Sequence, residues 1–347
     1  MYKETGMQNL TRAHTELFRR SPDEHFYSID SLWRHCREQK ALSLDQWHPP
    51  AFMIPDVDGQ HLSLGLGQPE AFRLNDWSFG QLCRLAEVSK DTLNKLSPAT
   101  AREVLRETMP GGSKPLQVLT QGQNIRSIHR ASYTRLHNAD LLGLVQEFAV
   151  DFQPPQAAAG GGTGLYCGEQ DMFCFLIDPL GWTDIDGEAF APGFFLWNSE
   201  VGRRTVGVQT FWFQAVCQNH IVWDAVEVVE FSRKHTAKVH DAMDDIRRII
   251  ENLNNRRDER RDGFVNVIQK AMRARMGKDA EEVLKTLHKH GFPRSLAQQA
   301  LDIAKVDGRF TIFALVDALT RLAGQLPNAG DRIEADSKAA ALLALAV

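Results

Sequence analysis

The sequence predicts an α+β fold, with a helical N-terminal block, an antiparallel hairpin-rich sheet backed by helices, and a helical C-terminal region. Three observations predict it. Apolar residues recur at helical spacing over 28–42 and again over 78–109. From Leu116 the period changes to two, and alternating runs are joined by short polar turns. From His235 onward helical spacing returns and holds to residue 325. Hairpins outnumber βα units, which argues against a doubly wound sheet. The chain has 347 residues, 43% hydrophobic and 24% charged, enough to bury a core without disulfide staples. That composition excludes wholesale disorder and collagen-like repetition.

Taken in order, residues 1–25 are polar and read as a mobile N-terminus. Residues 26–112 read as a mostly helical region. Ile29, Leu32, Trp33 and Cys36 share one helical face. Pro49, Pro50 and Pro55 break that pattern, and Leu62, Leu64 and Leu66 alternate as one short strand. Ser89 and Ser97 are placed to cap the next helices, with Pro98 in a first turn. Pro110-Gly111-Gly112 ends the block.

Residues 113–277 read as an α+β core with a long helix. LQVLTQ and NIRSIHR form a hairpin about Gly122, and Asn138 caps the helix NADLLGLVQEFAV. GGGTG at 160–164 lacks the Lys-Ser/Thr of a phosphate loop and reads as a flexible connection. Five β-rich runs follow, and Gly202 makes a second hairpin with Arg203 and Arg204 at its tip. His235–Met276 holds one or two long helices, with Gly263 as the expected interruption. Residues 278–325 read as a small helical bundle, and 326–347 as an Ala-rich tail.

The charge balance is 40 basic against 44 acidic residues, a net −4, so nucleic-acid binding would need a local basic face. The five cysteines are odd in number and irregularly spaced, and no secretory signal or membrane-length apolar run stands beside them. The expectation is a cytoplasmic protein with reduced thiols, no membrane partner, no metal and no cofactor.

Three stretches offer polyanion contacts. The hairpin 124–137 interleaves Arg126, Arg130 and Arg135 with Tyr133, the cations and stacking ring that a single strand needs. In a regular strand Arg126, Ile128 and Arg130 share one face, and Ile125, Ser127 and His129 the other. The run 232–278 holds 13 Lys/Arg against 7 Asp/Glu, including Arg256 and Arg257. Its interleaved acids equally suit a solvated, salt-bridged helix. QLCRLAEVSKDTLNKL has the pattern of a helix-turn-helix that would turn Lys90, Asp91 and Asn94 toward a major groove. Glu87 stands where such turns usually carry glycine, and an ordinary helical hairpin is the plainer account. Cys217 and His220 are spaced for a thiol–imidazole pair, but no second ligand pair completes a zinc site. Cys167 and Cys174 would join one only through the fold.

Three segments together resemble a known family: FGQLCRLAEVSKDTLNKLSPATA, IRSIHRASYTRLHNADLLGLV, and GFFLWNSEVGRRTVGVQTFWFQAVCQNHIVW. They are similar to the phage- and plasmid-borne proteins grouped as domain of unknown function 932, over residues 75–280. The most specific piece runs from Asn198 to Trp223, where Asn198, Glu200, Gly202, Cys217, Asn219 and His220 carry the motif. His220 stands where that family more often has glycine. The resemblance implies a mobile genetic element, a bacterial cytoplasm and a role near DNA. It supplies no agreed catalytic residues, so none is transferred.

The leading expectation is a non-enzymatic DNA-associated protein serving recombination or replication, with single-stranded DNA as the favoured partner and homo-oligomers as its assembly. Arg126, Arg130, Arg203 and Arg204 would meet phosphates while Tyr133 stacks on bases. One alternative is a protein-interaction factor docking through the C-terminal bundle. The other is an enzyme using Cys217 and His220.

Overall fold

The computed structural model describes residues 25–59, 61–154, 164–214, 220–223, 230–306, 310–324 and 338–346. Two sheets, each with its own helical layer, make the α+β fold. The first has strand order β1-β5-β6-β4-β3-β2, from β1 (Ser43–His48), β2 (Ile54–Asp58), β3 (His61–Gly65), β4 (Ala71–Leu74), β5 (Leu116–Gln121) and β6 (Asn124–Arg130). All its pairings are antiparallel except β4 with β6.

The second sheet runs β12-β11-β10-β8-β7, from β7 (Leu165–Cys167), β8 (Met172–Ile177), β10 (Glu188–Asn198), β11 (Val206–Gln214) and β12 (His220–Trp223). Two short strands join it from the side: β9 (Thr183–Ile185) pairs with β10, and β13 (Glu230–Arg233) with β11.

The helices form where capping and apolar spacing agree. In α1 (Ile29–Leu42), Ser28 and Ser31 close a capping box, and Leu32 and Cys36 are fully buried. α2 (Asp76–Leu85), α3 (Lys90–Leu93) and α4 (Pro98–Thr108) cover one face of the first sheet through Leu82, Leu93 and Leu105. Ser89 and Ser97 cap α3 and α4 as expected, by accepting from Thr92 N and Thr100 N. α1, α5 (Asn138–Phe148) and α6 (Asp241–Asn255) cover one face of the second sheet. α7 (Arg257–Arg273), α8 (Ala280–Lys289), α9 (Arg294–Val306) and α10 (Ile312–Gly324) share a separate core with Phe190 and Trp212 of that sheet. There the Phe264 ring stacks on Trp212 at 4.0 Å. The C-terminal bundle is thus packed on the sheet through Ile185, Phe190 and Trp212. Among the described residues no helix is long and apolar enough to cross a membrane.

Several sequence expectations are corrected. The region 26–112 is not mostly helical, because it supplies β1 to β4, and β5 and β6 complete the same sheet across residue 112. These strands are only four to six residues long and mix exposed with buried positions, so their alternation is faint. Pro55 sits in the edge strand β2, where its missing N–H costs no ladder bond. The long helix breaks at Arg256 (φ −105°, ψ 20°), while Gly263 lies inside α7. The reason is packing: Ile246 and Ile250 of α6 join one core, whereas Phe264 and Ile268 of α7 join another.

The helix-turn-helix does not form. α3 is a single turn of four residues, about 6 Å long, and Lys90 Nζ is held 2.5 Å from Asp76. Glu87 makes the turn in the left-handed region at φ 56°. Nor does Asn138 cap its helix: it is the first residue of α5, behind His137 as N-cap.

The middle of the second sheet has no spare volume at Gly207, which lies opposite Trp197. A Cβ there would stand 2.2 Å from Trp197 Cζ2 and 2.6 Å from the Phe231 carbonyl oxygen. Gly207→Ala is expected to destabilise the protein by about 1–3 kcal/mol through overpacking. A fall in the urea midpoint at unchanged slope is the check, and an unshifted midpoint refutes it.

Candidate functional site between the two sheets

The turn Asn198-Ser199-Glu200-Val201-Gly202 leaves β10 and plugs into the first sheet. Three of its backbone carbonyls, those of Ser199, Glu200 and Val201, accept from side chains. Tyr133 Oη donates to Ser199 O (3.3 Å) and Glu200 O (2.8 Å), and Arg135 Nη1 also donates to Glu200 O. Trp77 Nε1 (2.8 Å) and His129 Nε2 (3.0 Å) both donate to Val201 O. Gly202 is at φ 73°, and a Cβ there would lie 2.6 Å from His129 and 2.9 Å from Tyr133, so only glycine fits.

The side chains of the turn are equally committed. Glu200 Oε2 pairs with Arg126 Nη1 at 3.0 Å, with exposures of only 1% and 6%. Glu200 Oε1 accepts from Asn138 N (2.8 Å), and His137 Nδ1 stands 3.5 Å away, an electrostatic contact rather than a hydrogen bond. Burial pushes the Glu200 carboxyl up, but His137, Arg126 and the Asn138 N–H outweigh it and hold it at about 2. Asn198 Nδ2 donates to Leu136 O (2.9 Å) and Asn138 Oδ1 (2.8 Å). These residues therefore bind the two sheets into one body.

A three-ring stack stands beside the turn. His129 lies on Tyr133 at 3.7 Å, Tyr133 lies on His235 at 5.4 Å, and the Arg135 guanidinium stands 5.3 Å from the Tyr133 ring. Burial, helped by the Arg135 charge, lowers His129 to about 3 and His235 to about 4.

The expected phosphate contacts fall differently from a cationic face. Arg126 and Arg135 are 5% exposed, and Arg135 is bidentate on Asp45 (2.9 and 2.8 Å). Arg126 is the extra residue of a β-bulge: Leu119 pairs with Ser127, and Thr120 with Ile125. The bulge puts both Ile125 and Ile128 into the first sheet's core and turns Arg126 to the junction, so strict alternation fails here. Tyr133 is spent on the 199–200 carbonyls. Arg203 and Arg204 do lie at the hairpin tip, but both reach the buried Asp171 (3.6 and 2.9 Å). Arg257 pairs with the buried Asp178, and Arg256 with Glu259 at 2.9 Å. Arg130 is exposed. On α6 and α7 the acids form i,i+3 pairs, among them Arg247–Asp244 and Arg261–Asp258, the solvated salt-bridged arrangement. Cys217 and Asn219 lie outside the described residues, as do residues 160–163 of GGGTG, and His220 opens β12 opposite Gln214.

Beside the junction is a groove of about 740 Å³. α1 lines it with His35 and Gln39, the chain after β4 with Asn75, the β5–β6 turn with Gln121 and Asn124, β6 with Arg126, and the end of β7 with Cys167 and Glu169. Its wall holds a thiol cluster that sequence reasoning missed. Asn138 Nδ2 lies 3.7 Å from Cys167 Sγ and Gln39 Oε1 lies 3.9 Å from it, and Cys36 and His35 of α1 act on the same thiol. The Cys36 contact is the stronger influence; with His35 it overcomes burial and lowers Cys167 to about 6, while the same contact pushes Cys36 up. No local signal could have found this cluster, since Gln39 and Cys167 are 128 residues apart. Among the described residues no group of three or more His, Cys, Asp or Glu is arranged to hold a metal ion. Comparison of the chain with protein-family models, curated proteins and solved structures finds no match.

Proposed function

We propose that this chain is a non-enzymatic DNA-associated protein of a phage, plasmid or other mobile element, holding single-stranded DNA in the groove between its sheets. The amide lining of that groove carries the reading. Gln39, Gln121 and Asn124 line it with amide donors and acceptors, which match the open edges of unpaired bases, while the fourth amide, Asn75, is spent on Ser78 N and Glu169. Its volume of about 740 Å³ lies within the range of small-ligand clefts. The family resemblance over 75–280 supports the same setting, a bacterial cytoplasm and DNA recombination or replication.

The cations shape the expected behaviour. Most of the arginines first assigned to phosphates are in ion pairs, so few counterions would be released on binding. Arg73, next to the groove's Leu74 and Asn75, is exposed, and its 3.0 Å pair with Asp58 is solvent-screened. Base edges then supply more of the affinity than phosphates do. Self-association would use the edge strand β1, where Leu44 and Trp47 are at least half exposed.

Fluorescence anisotropy with labelled oligonucleotides tests this on purified, nucleic-acid-free protein. Single strands should bind in preference to duplex. With two or three phosphate contacts, affinity should fall only roughly tenfold over a fourfold rise in salt. The double variant Gln39→Ala/Asn124→Ala should weaken binding further than Arg256→Ala/Arg257→Ala. Absence of binding at low salt, or the reverse order of the two variants, refutes the reading.

A further inference from the structure

The basic run 232–278 divides in two once it is folded. Arg233, Arg247, Arg248, Arg256, Arg257 and Arg261 each stand in an ion pair. Beyond them, residues 263–278 hold four cations and no acid. Those four, Lys270, Arg273, Arg275 and Lys278, are exposed, and among the described residues none of them has an ion-pair partner. The acids that follow are committed to backbone: Asp279 Oδ1 accepts from Glu282 N (2.9 Å), and Glu282 Oε2 from Lys278 N (2.7 Å).

Local geometry explains why these cations face solvent. Lys270 and Arg273 lie three apart in the last turn of α7, on one face. The chain then extends at Ala274 (φ −74°, ψ 129°). Two backbone bonds pin it, from Ile312 N to Ala274 O (2.9 Å) and from Met276 N to Phe310 O (2.9 Å). Ala274 and Met276 pack on the bundle core, so alternation turns Arg275 outward. A helix C-terminus favours cations, which accounts for Lys270 and Arg273 but not for Arg275 and Lys278, which lie past its end. No large apolar or aromatic side chain of 263–278 is exposed. The patch therefore lacks the rings that stack on unpaired bases and the apolar anchor that enters a bilayer. Lys270, Arg273 and Arg275 start about 5–7 Å apart, and duplex DNA offers a phosphate charge about every 1.7 Å of its axis.

We propose that Lys270, Arg273, Arg275 and Lys278 form a sequence-independent contact for the phosphate backbone of duplex DNA. The contact shares no residue with the single-strand groove and does not rest on it. A protein with both sites would sit where a duplex opens into a single strand.

Fluorescence anisotropy with a labelled duplex of mixed sequence tests this. Four phosphate contacts predict that affinity falls on the order of a hundredfold over a fourfold rise in salt. The variant Lys270→Ala/Arg273→Ala/Arg275→Ala/Lys278→Ala should weaken duplex binding at low salt at least roughly tenfold and flatten its salt dependence. Arg102→Ala/Arg106→Ala/Arg248→Ala/Arg256→Ala removes the same charge from paired cations and should bind duplex as the wild type does. If the first variant shows a lowered urea midpoint, Lys270→Ala/Lys278→Ala takes its place and should lose about half as much on a logarithmic scale. Equal losses in the patch and control variants, no duplex binding at low salt, or binding to phosphatidylserine vesicles but not to duplex overturns the proposal. The groove is tested with single strands, so the two sites fail separately.

Discussion

Glu200→Ala is expected to cost the folded state about 3–5 kcal/mol, because it leaves the Arg126 charge buried without its counter-ion. It also removes the acceptor for the Asn138 N–H at the start of α5. A loss of that size is a large share of the roughly 5–15 kcal/mol that holds a typical domain together. The Glu200 carboxylate joins residues of three elements, β6, α5 and the turn after β10, so loosening of the two sheets against each other should accompany the loss. Urea unfolding gives the magnitude, and hydrogen exchange at the junction gives its location. The double variant Arg126→Met/Glu200→Leu discriminates the cause. If the penalty is an orphaned charge, the double variant recovers much of it; if the site simply lacks volume, it does not. A single-variant loss under about 1 kcal/mol would contradict the account of a buried, paired carboxylate.

Acidification should destabilise the protein well before its carboxylates protonate. His129 and His235 sit at about 3 and about 4 in the folded state, against an ordinary value of 6.5. Between those values the unfolded chain binds protons that the folded chain refuses, so stability falls as pH falls below 6.5. At about 1.4 kcal/mol per unit, each histidine costs about 2 kcal/mol by pH 5, and the pair about 4. Glu200 adds to the loss below its ordinary value of 4.5, since its folded value is about 2. Burial is the main reason the stack resists protonation, and the charges facing it add to the effect. Arg135 stands by the Tyr133 ring that separates the two imidazoles, and Asp45, which favours imidazolium, is paired with Arg135. Urea midpoints at pH 7, 6 and 5 should drop in sequence. His235→Phe should remove about half of that drop. Equal midpoints at pH 7 and 5 would exclude a buried neutral stack.

Much of the architecture is legible in local sequence. Ser28, Ser89 and Ser97 cap the helices they precede, because a hydroxyl two or three residues ahead of an N–H needs only local geometry. The β5–β6 hairpin follows from alternation plus Gly122 at φ 57°. Strands β1, β2 and β4 were not legible, because edge and short strands bury too few side chains to show a period. The bulge at Arg126 was hidden for a different reason: one extra residue leaves composition untouched but reverses every face assignment beyond it.

The candidate site divides in the same way. Asn198, Glu200 and Gly202 stand out in the sequence as a motif, but their partners Asn138, Arg126, His129 and Tyr133 come from 60 to 74 residues away. Arginine in the sequence signals available positive charge; here the fold spends that charge on Glu200, Asp45, Asp171 and Asp178. By itself the sequence determined the α+β class, the positions of most helices, both hairpins and the ordinary charge balance, all of which depend on neighbours within a few residues. Only the tertiary structure decided which cations are free, which histidines are neutral and which thiols meet. Those properties depend on burial and on a partner's distance, and a chain's neighbours in sequence do not set either one.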